Sequence, residues 1–114
     1  MIINIGKDFS TVPAGRYLND GPNSGERFRE EILKSVVVNR NEYDIPVTII
    51  LDDGVEGYGS SFLNEAFGGL VRKGYAKPDE VLKCFDFEYS DDEFDYYKQR
   101  IISYIKEAIY GSER

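Results

Sequence analysis

The chain contains no histidine and no tryptophan, and it has one cysteine and one methionine among 114 residues. Without histidine there is no imidazole to act as a general base near neutral pH, to activate a nucleophile or to bind a metal ion. This absence excludes most hydrolase and zinc-enzyme mechanisms. The single thiol, Cys84, cannot form an internal disulfide, and its apolar neighbours favour a buried structural side chain over a nucleophile.

Long apolar runs and basic stretches are also missing. No apolar run approaches the roughly 20 residues that span a bilayer, and Met1-Ile-Ile-Asn-Ile-Gly lacks the basic and apolar regions of a signal peptide. Together with the unpaired cysteine, this leads us to expect a cytoplasmic protein. The net charge is −7, and lysine and arginine form no stripe, so we expect neither nucleic acid nor a membrane as partner.

The spacing of apolar residues predicts a single α/β domain over residues 1–114. Strands are predicted at 1–5, 47–51 and 81–87, and helices at 26–39, from Ser61 to the terminating Gly74, and from Asp91 onward. The central segment 47–51 has almost no polar alternation, which is typical of a strand covered on both faces. Alternating strands and helices predict a layered domain with a mixed β-sheet packed against amphipathic helices.

A glycine-rich loop joins the central strand to the next helix and ends in two serines, Ser60 and Ser61. We expect these serines to occupy the N-cap and the first helical position. Backbone N–H groups are unpaired at such a helix end and the helix dipole favours added negative charge, so the place suits a phosphate, bound or covalently attached. The glycine spacing matches neither a dinucleotide fingerprint nor a P-loop.

Arginines flank the predicted turn that precedes the first long helix. Arg16 lies before the turn, Ser24 is predicted to cap the helix, and Arg29 follows within the helix. Arginine suits bidentate recognition of phosphate or carboxylate. If this turn lies near Ser61, Arg16 and Arg29 would form one anion-binding surface with the helix N-terminus.

Three acidic residues, Asp52, Asp53 and Glu56, follow the central strand. Carboxylates at this place could hold Mg²⁺, but Asp-Asp-Gly is also ordinary turn chemistry. We therefore predict no metal site and no cofactor.

Several segments resemble a known family. They are Ile5-Gly-Lys-Asp-Phe-Ser, Gly15-Arg16, Ser24-Gly-Glu-Arg-Phe-Arg29 and Ser60-Ser-Phe-Leu-Asn-Glu-Ala-Phe-Gly-Gly-Leu70. They resemble the bacterial and phage STAS-like domains, related to the superfamily named for sulfate transporters and anti-sigma factor antagonists. The resemblance covers most of the chain up to about Tyr75.

The resemblance implies a STAS-like fold and a regulatory, non-enzymatic role. In the superfamily, an antagonist binds a kinase-fold anti-sigma factor, and phosphorylation of a serine at the start of the helix after the central strand releases it. Carried over, Ser61 corresponds to the phosphoacceptor and Ser60 lies beside it. The phosphorylated antagonists usually have aspartate before the serine pair and glycine after it, where this chain has Gly59 and Phe62.

We therefore expect a histidine-kinase-type ATPase or anti-sigma-like regulator as partner, with Tyr58 as an exposed anchor. The expected partner- or anion-binding residues are Arg16, Ser24, Gly25, Arg29, Gly57, Tyr58, Gly59, Phe62 and Glu65. Two alternatives remain open: a small-ligand or nucleotide-binding domain using the same helix N-terminus, and a phage protein that blocks a host regulator. An enzyme is disfavoured because no base for either serine is visible.

Overall fold

Three parallel strands form the sheet. In the computed structural model, which describes residues 1–114, the strands are β1 (Ile2–Asn4), β2 (Val47–Ile50) and β3 (Phe85–Glu88), in the order β1-β2-β3. Ile3 pairs with Ile49, which pairs with Phe87 on the other side. The α/β class is confirmed. The predicted mixed sheet is not found, because both strand pairs are parallel.

Five helices surround or connect these strands. They are α1 (Ile5–Asp8), α2 (residues 25–38), α3 (residues 60–72), α4 (Pro78–Cys84) and α5 (Asp95–Glu107). Two of them contain a π-helical turn: Arg29–Leu33 within α2 and Asn64–Gly68 within α3. Short 3₁₀ turns occur at Leu18–Asp20, Arg40–Glu42 and Asp92–Phe94. No helix combines the length and the apolar character that crossing a membrane requires.

Most helix boundaries follow local sequence signals. Ser24 caps α2 as predicted, because its hydroxyl oxygen accepts the Arg27 N–H at 3.2 Å. Gly74, at φ 79°, follows the end of α3 in the left-handed conformation that favours glycine. The predicted strand 81–87 is wrong in its first half. A helix begins there at Pro78, and the Glu80 carboxylate stabilises its start by accepting the Lys77 N–H at 2.9 Å. Because this helix extends to Cys84, only Phe85–Glu88 is extended.

The helices pack on one face of the sheet only. That face carries Ile3, Ile49 and Phe85, which are almost fully buried, and the ring of Phe67 in α3 lies 6.2 Å from that of Phe85. On the opposite face Ile2 is 62% exposed. The prediction of a central strand covered on both faces is therefore met only in part, because Thr48 and Ile50 on the outer face of β2 are half-buried. The core comprises 25 buried residues, all on the helical side or in the connecting loops.

Candidate functional site

The loop between β2 and α3 is held firmly at its two ends. The Tyr58 hydroxyl donates a hydrogen bond of 2.6 Å to the Leu51 carbonyl. One carboxylate oxygen of Asp52 accepts the backbone N–H groups of Ser90 and Asp91, each at 2.8 Å. These three hydrogen bonds tie the loop to the end of β2 and to the segment after β3.

Tyr58 is not the exposed anchor that the sequence predicted. Its ring is buried and lies 5.9 Å from Phe62, 5.5 Å from Tyr97 and 6.5 Å from Phe94. Burial raises the pKa of the Tyr58 hydroxyl, and the negative charge of Asp52 raises it further. No local pattern predicts this burial, because Phe94 lies in the turn before α5 and Tyr97 lies in α5, both far from Tyr58 in the chain.

The acidic residues of the loop already serve the fold. The Asn4 amide donates to Asp53 Oδ2 at 2.7 Å, and the Lys7 ammonium lies 3.5 Å from the same oxygen. The Asn4 hydrogen bond lowers the pKa of Asp53, and Lys7 adds to this. No three histidine, cysteine or acidic side chains converge in the structure as metal ligands would.

Helix α3 begins without a side-chain cap. Gly59 occupies the N-cap position, so Ser60 and Ser61 are the first and second helical residues, one position later than predicted. The Leu63 N–H donates to the Gly59 carbonyl at 3.2 Å. The backbone N–H groups of the α3 residues that precede Leu63 have no acceptor within the helix. They are therefore available to a bound group. Ser60 is exposed and Ser61 is half-buried.

Two glycines of the loop, Gly57 and Gly59, differ in how much space surrounds them. A Cβ at Gly57 would lie 2.5 Å from the Tyr97 hydroxyl, so any side chain at this position would require the Tyr97 ring to move. A Cβ at Gly59 would meet nothing within 4 Å, and its φ of −75° is open to all residues. Folding therefore does not require glycine at position 59. The lack of a side chain there leaves the surface beside the serines open.

Arg29 lies in the interior, which corrects the prediction of an anion-reading side chain at the surface. Its Nη1 donates to Glu65 Oε2 at 2.6 Å and to the Glu65 carbonyl at 2.8 Å, and its Nε donates to Glu30 at 2.8 Å. Arg29 is 1% exposed and Glu65 is 2% exposed. Burial alone would lower the pKa of Arg29, but the hydrogen bonds to Glu30 and Glu65 outweigh it and raise the pKa.

Close packing of α2 against α3 creates this buried pair. A Cβ at Gly25 would clash with the Phe62 carbonyl, and a Cβ at Gly69 would clash with Arg29 Nη1. Each helix also contains its π-helical turn here, so that Arg29 and Glu65 both sit in widened backbone. The predicted binding residues Ser24, Gly25, Arg29, Phe62 and Glu65 are consequently all buried and cannot contact a partner directly.

A second loop, residues 10–21, lies beside the N-terminal end of α3. The Gly25 N–H donates to the Gly15 carbonyl at 3.0 Å, and the Arg16 guanidinium lies 3.8 Å from Glu65. In this loop Val12 is 66% exposed, and it lines a shallow depression together with Glu56 of the first loop. Sequence reasoning missed Val12 because an isolated apolar residue in a turn-rich segment has no periodicity to reveal its place.

The accessible part of the candidate site is therefore smaller than predicted and includes a residue from the second loop. We call it the docking surface; it consists of Val12, Arg16, Glu56, Gly59, Ser60 and Ser61. Arg16 is half-buried and the only cation in this set, and it keeps one side of its guanidinium toward Glu65.

Comparison with known protein families matches residues 24–92 to a family described as a STAS-like domain of unknown function (DUF4325). The matched region includes α2, β2, the serine loop, α3 and β3. No curated protein and no solved structure matches the chain significantly.

Proposed function

The chain belongs to the family of STAS-like domains of unknown function, and from this premise we propose that it is a non-enzymatic regulatory module that binds a partner protein. The contact is the docking surface. The observation that carries the proposal is a pair of accessible serines at an uncapped helix start, held by a loop that is anchored at both ends.

The shape of the docking surface favours a protein partner over a small ligand. Ser60 and Ser61 line none of the four main cavities of the molecule. Val12, which shares a shallow depression with Glu56 of the serine loop, is exposed, and an apolar side chain beside polar groups suits a protein interface. A small molecule would instead be enclosed on most of its surface.

The partner class follows from the resemblance to anti-sigma factor antagonists. We propose a histidine-kinase-type ATPase domain, which would also supply the phosphoryl group for Ser61. A phosphoserine carries about −1.5 to −2 charges at pH 7. The helix N-terminus would favour that charge by about 0.3–1 kcal/mol, whereas Glu56 would oppose it within a closed interface. Phosphorylation at Ser61 is therefore expected to release the partner.

The proposal is tested by binding measurements with an ATPase domain encoded beside this chain. Wild type and Ser61→Ala are expected to bind, whereas Ser61→Asp is expected to weaken binding at least tenfold. Ser35→Asp is the matched control, because Ser35 is a helical serine too; it is exposed and lies in the last part of α2. Incubation with ATP and the partner should add one phosphoryl mass to wild type and none to Ser61→Ala. Equal affinity of Ser61→Asp and Ser35→Asp would refute docking at this surface.

The second candidate is a nucleotide- or small-ligand-binding domain, and the uncapped N–H groups of α3 are the observation that favours it. It predicts thermal stabilisation of the isolated chain by ATP or GDP, lost in Ser61→Asp. A regulatory docking module predicts no such stabilisation until the partner is present. A phage protein that blocks a host regulator would use the same docking surface, and it would keep its affinity for the host protein in the presence of ATP.

A further inference from the structure

A cavity of about 350 Å³ lies at the amino end of β2, between the end of α2, the connection at residues 39–46 and α4. The docking surface follows the opposite end of β2, so the two are separate features. Cavities that bind small molecules have volumes of roughly 300–1,000 Å³, and this one falls at the lower limit. Its size therefore suits a ligand of few atoms.

Apolar side chains form much of the wall. Val36 and Val47 are almost fully buried at its base, and Tyr43 is half-buried beside them. Ile45, which also lines the cavity, is 71% exposed. The fold thus leaves a large apolar side chain uncovered at the edge of a depression whose lining is partly apolar and partly polar, and an apolar ligand group would cover it.

Four charged residues line the same cavity, and two of them are already satisfied. Arg40 donates to Glu80 at 2.8 Å and to the Val37 carbonyl at 2.9 Å, while Glu80 also accepts the Lys77 N–H. The other two are Lys83 and Asp44. All nine ion pairs of the structure involve other residues, so these two opposite charges pair neither with each other nor with any neighbour within 4.0 Å.

We propose that this cavity binds a small apolar zwitterion, the chemical class that includes the free apolar α-amino acids. The ligand carboxylate pairs with Lys83, its ammonium group pairs with Asp44, and its side chain covers Ile45 and Tyr43. A simple carboxylate would leave Asp44 facing a like charge, and a simple amine would do the same at Lys83. Only a molecule with both charges and an apolar group complements the whole lining.

Cys84 provides a reporter for the test, because it lines the cavity and is the only cysteine. Burial raises the pKa of its thiol, so alkylation by iodoacetamide is slow and is followed by intact mass over hours at about pH 7.5, where the ligand ammonium group stays protonated. The probe is L-phenylalanine. It is expected to slow the alkylation in a saturable manner and to shift the backbone amide NMR signals of Ile45 and Lys83. If Cys84 is too buried to react, the amide shifts alone give the affinity.

Charge variants and analogues distinguish this site from weak apolar association. Lys83→Met and Asp44→Asn are each expected to weaken phenylalanine binding by up to about fivefold, as for other exposed ion pairs. Lys106→Met, an exposed lysine on α5, is the matched control and should bind like wild type. Phenethylamine and 3-phenylpropionate, which lack one charge each, should bind more weakly than phenylalanine.

Three results would overturn the proposal. They are the absence of saturable shifts up to about 10 mM phenylalanine, shifts centred on residues outside the cavity, and equal affinity of Lys83→Met and Lys106→Met. At that concentration even a millimolar ligand, worth about −4 kcal/mol, would be detected. None of these results bears on the docking surface, which lies at the other end of β2.

Discussion

The buried pair of Arg29 and Glu65 offers the sharpest test of how this fold is held together. Replacing Glu65 with methionine keeps a long, unbranched side chain with high helix propensity but removes the carboxylate. Arg29 then loses its 2.6 Å partner while it remains 1% exposed. Leaving one member of a buried pair without its partner costs about 3–5 kcal/mol. Because Arg29 still contacts Glu30 at 2.8 Å, we expect the lower end, about 3 kcal/mol.

The matched control is Glu31→Met. Glu31 pairs with Arg27 at the same N–O distance, 2.6 Å, but its side chain is 56% exposed. Exposed pairs contribute about 0–1 kcal/mol, so the two substitutions differ in burial and in little else. A cost of 3 kcal/mol is a large part of the roughly 5–15 kcal/mol by which small domains are stable.

Urea unfolding followed by circular dichroism measures both costs. With a denaturant slope of about 2 kcal/mol per molar, Glu65→Met should lower the unfolding midpoint by about 1.5 M and Glu31→Met by less than about 0.5 M. The double variant Arg29→Met/Glu65→Met should be clearly more stable than the sum of the single changes predicts, because no unpaired charge remains. Additive costs, or similar midpoints for Glu65→Met and Glu31→Met, would refute the reasoning.

Two further predictions concern helix packing and acid stability. Gly25→Ala should destabilise the protein by more than about 1 kcal/mol, because its Cβ would clash with the Phe62 carbonyl. Gly59→Ala should be tolerated, because a Cβ there would lie in open space. Urea unfolding midpoints distinguish the two variants, and equal midpoints would contradict the packing of α2 on α3. Burial would raise the pKa of Glu30, but its hydrogen bonds with Arg29 and Tyr75 outweigh burial and lower it below its ordinary 4.5. The stabilising effect of the Glu30 carboxylate is therefore complete above about pH 5 and disappears as the pH falls through the lowered pKa. The difference in unfolding free energy between wild type and Glu30→Gln should be largest near pH 7 and should vanish toward pH 3. A difference that does not change with pH would contradict this prediction.

The order of the elements could be read from local patterns. Ser24 and Gly74 mark the start of α2 and the end of α3 because capping and left-handed glycine are properties of single residues and their immediate neighbours. In the last helix, Ile101 and Ile105 repeat at helical spacing and are fully buried, which is the pattern of an amphipathic helix. Where a local signal was ambiguous, as at the apolar run ending in Cys84, helix and strand could not be told apart.

Which polar side chains would be buried was beyond any local pattern. Arg29 and Glu65 are 36 residues apart in the chain, and each alone looks like a solvated helical charge. Only the close approach of α2 and α3 removes both side chains from water. Each charge can be buried there because the other one compensates it. The prediction for Tyr58 was wrong for the same reason, since Phe94 and Tyr97, which cover it, lie in the turn before α5 and in α5.

The sequence by itself thus determined the order of the three strands, the cap of α2, the end of α3 and the position of two serines in the first turn of α3, because these depend on neighbours within a few residues. The tertiary structure decided which of the predicted binding residues remain accessible, and it brought Val12 to the same depression as Glu56. It also left one face of the sheet only partly covered. These outcomes depend on which segments, distant in the chain, pack against each other. The burial of a side chain is set by that packing and cannot be read from its own segment.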